Sequence, residues 1–215
     1  MESSSFSTLN SNANKVLVNH LEVEGVLHSL TIKKALFAVE RENFVPPALK
    51  HLSYEDTALP LEEGQTISQP YTVVFMLEQL SAQPGQSVFE AGYGSGWQTA
   101  LLAHLVGPRG MVYAFEINPA LCRRGRSNLQ RYPNLLSRIS LFCLSAARGY
   151  PEMAPFDRII CGAEVAQAPQ PWREQLKIGG RMVYPSHKSI MVETKLEDGS
   201  FKVEEHHGFV FVPFR

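Results

Sequence analysis

Cysteine is scarce in this chain, with only Cys122, Cys143 and Cys161 among 215 residues. They stand far apart and form no Cys-x-x-Cys pair, so their spacing suggests neither a disulfide framework nor a zinc site, and all three read as small buried hydrophobes. An excess of one charge is also missing. Twenty Lys and Arg against 21 Asp and Glu leave a formal net charge of -1, which gives no electrostatic reason to expect nucleic acid or an anionic membrane as partner. No apolar run reaches the roughly 18 residues of a membrane helix, and Met1 to Lys15 are polar where a secretory leader would be apolar. His206-His207 is no metal pair, because neighbours on a strand point to opposite faces; both read as solvated. The expectation is a cytoplasmic, metal-free monomer.

What is present is enough apolar material for one full core: 44% hydrophobic residues, with 19% charged. After a Ser- and Asn-rich opening, expected as a frayed tail over residues 1–14, Val16, Leu17, Leu21, Val26, Leu27, Leu30, Leu36 and Phe37 recur at mostly helical intervals up to about Glu40. Pro46-Pro47 ends that pattern, and an irregular stretch runs from Tyr54 to Pro70. From Pro84-Gly85 onward, short apolar strands alternate with helical segments, the signature of parallel βαβ units. The predicted strands are Val88–Ala91, Met111–Glu116, Ile139–Cys143, Arg158–Cys161 and one from Arg181; the helices are Trp97–Val106, Pro119–Arg131 and Pro171–Leu176. Two last strands flank Asp198-Gly199, a pair suited to a hairpin turn, so antiparallel strands close an otherwise parallel sheet. Residues 15–215 read as a single domain, with an N-terminal part over 15–83 and an α/β core over 84–215.

The strongest local signal is Val88-Phe89-Glu90-Ala91-Gly92-Tyr93-Gly94-Ser95-Gly96, a strand running into glycines that open a helix. Glycine lets a ligand approach the backbone where a Cβ would intrude. A dinucleotide fingerprint needs a glycine at position 97, which is Trp. Glu116 ends the next strand, where a carboxylate can accept both hydroxyls of a ribose. Gly92, Gly94, Ser95, Gly96 and Glu116 therefore suit S-adenosylmethionine better than NAD. Glu90 closes an apolar strand and needs a partner if buried, either loop amides or a cationic methionine ammonium.

Gly64-Gln65-Thr66-Ile67-Ser68-Gln69-Pro70 resembles the signature of the protein-L-isoaspartate methyltransferases. The resemblance extends from about Lys15 to the end, through Arg41-Glu42-Asn43-Phe44-Val45-Pro46, Pro155-Phe156-Asp157-Arg158-Ile159-Ile160, Leu176-Lys177-Ile178-Gly179-Gly180-Arg181 and Phe211-Val212-Pro213. It implies a Rossmann-like methyltransferase fold, a mostly parallel seven-stranded sheet with helices on both faces and an added N-terminal helical region. It implies methyl transfer from S-adenosylmethionine to the free α-carboxylate of L-isoaspartyl residues in damaged proteins, so that the succinimide can re-form. Ser68 matches the family's active-site serine, expected to hold the substrate carboxylate and not to act as a covalent nucleophile. Thr66, Ile67 and Gln69 shape the same loop and are expected beside the cofactor.

Three positions depart from the family pattern. Where relatives carry Gly-Asp-Gly, whose aspartate binds the adenine amino group, this chain has Leu144-Ser145-Ala146, so Ser145 and Ala146 are expected at the adenine without a charge-assisted bond. Tyr93 replaces a small residue of the glycine loop and is expected to cover or partly fill the cofactor pocket. His187-Lys188-Ser189 stands where a glutamine is common. These departures keep two alternatives open, a methyltransferase for another peptide carboxylate and a noncatalytic S-adenosylmethionine-binding relative. Arg123, Arg124 and Arg126 read as a solvated helix face.

Overall fold

A computed structural model describes residues 3–214, with side chains from Asn12 onward. Helix α1 spans Ser3–Val23, so its bounds reach into the segment expected as a tail; Met1 and Glu2 lie outside the described residues, as does Arg215. A turn at Gly25 (φ 68°) separates α1 from α2, Leu30–Ala38. Ser29 caps α2 by accepting from the Ile32 amide at 3.5 Å. Val16, Leu30 and Phe37, part of the helical pattern, face outward, while Leu17, Leu21, Leu27 and Leu36 are buried.

The segment up to Pro70 holds a small antiparallel pair, β1 (Leu59–Pro60) and β2 (Thr66–Ile67). Helix α3, Pro70–Leu80, follows directly, where the sequence pattern predicts no element. Its near-continuous apolar run, Tyr71 to Leu77, hides the helical period because Tyr71 and Phe75 are apolar residues on the half-buried face. Pro70 opens it, at the position where a missing amide costs nothing.

The main sheet contains β3 (Ser87–Ala91), β4 (Met111–Phe115), β5 (Ile139–Phe142), β6 (Phe156–Cys161), β7 (Leu176–Ser186), β8 (Ser189–Lys195) and β9 (Phe201–His207). Their order is β5-β4-β3-β6-β7-β8-β9, parallel from β5 to β7 and antiparallel for the last two pairs. Helices α4 (Trp97–Val106), α5 (Pro119–Leu129), α6 (Pro133–Leu136) and α7 (Gln170–Gln175) fill the connections. Strand β7 begins earlier than expected and runs through Gly179-Gly180.

Period-two alternation splits the core in two. Val88, Val112, Ala114, Ile160 and Val183 face the cluster built with the N-terminal helices and α4 to α6. Phe89, Phe115, Ile159, Met182 and Tyr184 face a second cluster around Phe156 and Trp172 of α7. The order reverses at β3, which has β4 on one side and β6 on the other. Such a reversal opens a crevice at the carboxyl ends of the strands, where open α/β sheets bind their ligands.

The cysteine expectation is corrected here. Cys122 in the first turns of α5 and Cys143 just beyond β5 form a disulfide, with Cα atoms 5.7 Å apart; Cys143 is exposed, and Cys161 alone is a free buried thiol. Adjacent parallel strands bring the two together across 21 residues, which sequence spacing does not reveal. His206 is also only half-exposed. Its ring packs edge-on against Phe75 at 5.1 Å. Among the described residues no group of three or more His, Cys, Asp or Glu is placed to hold a metal, and no helix is long and apolar enough to cross a membrane.

Candidate active site

The crevice at the β3 reversal is a cavity of about 290 Å³. Gly92 and Gly94 form its floor, at φ 82° and 51°, values that an L side chain rarely adopts. Gly96, at φ 87°, does not line it; a Cβ there would press on Leu129 of α5 at 3.1 Å. Its role is close packing of α4 against α5. Glu116 enters from the end of β4 and is nearly buried. One of its oxygens accepts from the Gly94 amide at 3.0 Å and the other from the Asn118 amide at 2.8 Å. A carboxylate has about four acceptor sites, so two remain for hydroxyls entering the cavity.

Beyond Glu116 the wall turns apolar. Phe115, Ile117, Leu121, Leu144, Ala146 and Phe214 line it. Ile117 and Leu144 are 47% and 61% exposed, and both turn an apolar face into the same cavity, which suits a flat apolar ligand. Sequence reasoning missed both. The signal lay in their neighbours, since Ile117 follows the acid and Leu144 precedes Ser145. Ser145 itself lines none of the site; its hydroxyl accepts from the Ala147 amide in its own loop at 3.3 Å. Ala146 does line the cavity, and its carbonyl accepts from the Trp172 indole at 2.8 Å.

Tyr93 neither covers nor fills this cavity. Its ring turns inward against Gly125 of α5, where an added Cβ would come within 2.7 Å of it. Ser95 also faces away from the main cavity, lining a small adjoining space, and its hydroxyl accepts from the Trp97 amide at 3.4 Å. Glu90 is wholly buried beneath the first turn of α4. Gln98 donates to one of its oxygens at 3.1 Å; among the described residues the other has no partner at hydrogen-bond distance, with Thr99 nearby. Burial pushes its carboxyl up to about 7, against the opposing pull of Thr99 and Gln98.

A second, larger space of about 910 Å³ lies beside the first, open as a groove. Thr66, Ser68, Gln69 and Tyr71 line it on one side and the extended segment 207–212 on the other, with His20, Glu24 and Asp56 at the rim. Thr66 and Gly162 line both spaces and the small one between them, where Ile67 and Ser68 also appear. The backbone around Ser68 is held from both flanks. Arg41 donates to the Ser68 carbonyl at 3.0 Å, while Asp56 accepts from the Gln69 side chain at 3.0 Å and the Tyr71 amide at 2.7 Å.

The turn between β1 and β2 and the start of β2 border the first cavity, contributing Gln65 and Thr66. It is fastened to α5 by Arg124, whose Nε donates to both oxygens of Glu62 at 2.9 and 2.7 Å, with Nη2 closer still. Arg124 is therefore not part of a solvated face, whereas Arg123 and Arg126 are exposed. Hydrogen bonding from Arg124 holds the Glu62 carboxyl below the usual range.

The family model described as protein-L-isoaspartate(D-aspartate) O-methyltransferase matches residues 11–215. Among curated proteins, the protein-L-isoaspartate O-methyltransferase of Hyperthermus butylicus is 40% identical over 94% of this chain and 88% of its own length. That of Methanothrix thermoacetophila is 41% identical over 85% and 86%. A solved structure described as protein-L-isoaspartate O-methyltransferase superposes with a TM-score of 0.82 at 27% identity, covering 93% of this chain and 65% of that one. A Plasmodium falciparum structure described as a complex of a beta-aspartate methyltransferase with S-adenosyl-L-homocysteine shares the fold, with a TM-score of 0.85 at 21% identity over 94% and 98% of the two chains.

Proposed function

The chain belongs to the protein-L-isoaspartate(D-aspartate) O-methyltransferase family and has its Rossmann-like methyltransferase fold, and we propose that it methylates the free α-carboxylate of L-isoaspartyl residues in damaged proteins, initiating their repair through succinimide. One observation carries this reading. The cavity suited to a nucleoside and the groove open to a peptide share a wall made of Thr66 and Gly162, with Ser68 beside it.

The residues of the first cavity fit S-adenosylmethionine. Glu116 keeps acceptor capacity for ribose hydroxyls, the exposed faces of Ile117 and Leu144 suit an adenine ring, and Gly92 and Gly94 admit a ligand against bare backbone. The bound cofactor supplies an electrophilic methyl group. Because position 145 does not face the cavity, adenine is held by apolar contact and not by a charge-assisted bond. Thr66 marks the boundary between the two reactants, with Ile67 buried behind it as support. Gln69 acts from the groove, bracing the Ser68 loop through Asp56.

The acceptor needs no general base. A carboxylate with an ordinary pKa of about 4 is already ionised at neutral pH, so the protein's task is to align and desolvate two bound reactants. Ser68 donates a hydrogen bond that orients the carboxylate in the groove. The same reading takes the chain as a cytoplasmic monomer; its net charge of -1 offers no attraction to nucleic acid or an anionic membrane.

The fate of a purified isoaspartyl peptide incubated with the protein and S-adenosylmethionine tests this directly by mass spectrometry. The expected sequence is a transient methyl ester, then succinimide, then accumulation of the normal aspartyl peptide. A peptide that never gains a methyl group, under conditions where S-adenosylhomocysteine binding is measured separately, contradicts it.

A further inference from the structure

An arginine normally keeps its guanidinium in water, and burying the charge is costly unless every donor finds an acceptor. Arg41 is only 1% exposed, and among the described residues no carboxylate lies within ion-pair distance of it. Its four terminal donors find four backbone carbonyls, and only its buried Nε has no acceptor among the described residues. Nη1 donates to Ser53 at 2.9 Å and Glu55 at 3.4 Å; Nη2 donates to Thr57 at 2.8 Å and Ser68 at 3.0 Å. The guanidinium also lies over the Trp97 ring, 5.3 Å from its centre. Burial lowers its pKa to about 10, which leaves it charged at neutral pH.

These contacts reach both sides of the seam between cavity and groove. Trp97 is the first residue of α4 and follows the glycine loop directly; Ser68 sits between the two spaces. The carbonyls at 53, 55 and 57 belong to the segment that carries Asp56, which braces Gln69 and the Tyr71 amide from the other flank. One planar fork thus organises the frame around Ser68. An ammonium, with three donors on a point charge, cannot reproduce that geometry.

We infer that Arg41 is a positioning residue for methyl transfer, fixing the Ser68 backbone, and through it the serine hydroxyl, relative to the glycine loop. The inference rests on the role given to Ser68 above. Small displacements of an aligned group can cost about 100-fold in rate, so the effect belongs in turnover and in peptide binding, not in cofactor binding.

The test compares Arg41→Lys, Arg41→Met, Ser68→Ala and the Arg41→Lys/Ser68→Ala pair. For each, S-adenosylhomocysteine affinity, affinity of that complex for an isoaspartyl peptide, and kcat/KM for methylation are measured. Arg41→Lys should keep S-adenosylhomocysteine affinity within about threefold while kcat/KM falls about 10- to 100-fold and peptide affinity weakens, with Arg41→Met losing more. In the Ser68→Ala background the lysine substitution should cost at most about threefold, because both changes remove the same aligned hydroxyl. Additive losses overturn the inference alone. Parallel loss of S-adenosylhomocysteine binding and activity in both Arg41 variants assigns the residue to folding and also overturns it. Full activity in Ser68→Ala overturns the role of Ser68, and this inference with it.

Discussion

Glu90 places a carboxylate at the end of an apolar strand with one oxygen on Gln98 and, among the described residues, the other on no donor. Its need for a partner is visible in the sequence; the identity of the partner, a glutamine eight residues on, follows only once α4 turns back over β3. The consequence is a pH dependence whose sign is fixed. Burial raises the carboxyl from 4.5 to about 7, so between those values the native state holds a proton that the unfolded chain has released. The stability this group contributes is fully present below about pH 4.5 and is lost as pH rises through about 7, by on the order of 3 kcal/mol. Denaturant unfolding of the ligand-free protein at pH 5 and pH 8 should show Glu90→Gln removing that part of the slope. Identical pH dependence in the two proteins contradicts it. Tyr93 and Ser145 show the reverse case, in which residue type was legible and direction was not. Tyr93 turns to Gly125 and Ser145 to its own loop, because backbone conformation decides where a side chain at a turn points.

Among the elements, β3, β4 and α4 match their sequence patterns closely because apolar periodicity and flanking glycine or proline mark their limits. Helix α3 was not legible, since its half-buried face opens with apolar Tyr71 and Phe75 and turns polar only at Glu78 and Gln79. The Cys122–Cys143 disulfide was not legible either, because it joins α5 to the end of β5 through strand adjacency. It lies along the wall of the first cavity, as Leu121 and Leu144, the residues beside each cysteine, both line that space. Cross-linking a loop of this length restricts the unfolded chain by about 3 kcal/mol. Reduction by a dithiol, or the Cys122→Ala/Cys143→Ala pair, should lower unfolding free energy by about that amount and weaken S-adenosylhomocysteine binding several-fold. Unchanged stability and affinity in the reduced protein contradict the clamp.

At the scale of the whole molecule, the site is a meeting of distant segments. Thr66 opens β2, Glu116 follows β4, Gly162 follows β6 and Val212 comes from the C-terminal extension. The motif around Ser68 and the glycine loop could be read locally, and so could the family resemblance that joins them. Their shared wall could not, because it exists only after β3 reverses the sheet order and the chain end returns past Glu164, whose amide and carbonyl bond Val212 and Phe214 at 2.8 Å. The same holds for Arg41, which looks in sequence like part of a motif and in three dimensions ties Ser68 to Trp97. The central claim is that this wall presents an isoaspartyl carboxylate for methylation and does not present that of a normal L-aspartyl residue. The most direct measurement counts base-labile methyl ester after incubation with methyl-labelled S-adenosylmethionine and two peptides that differ only in isoaspartate against normal aspartate. The account predicts label on the isoaspartyl peptide alone; equal label on both, or label confined to the normal aspartyl peptide, would contradict it.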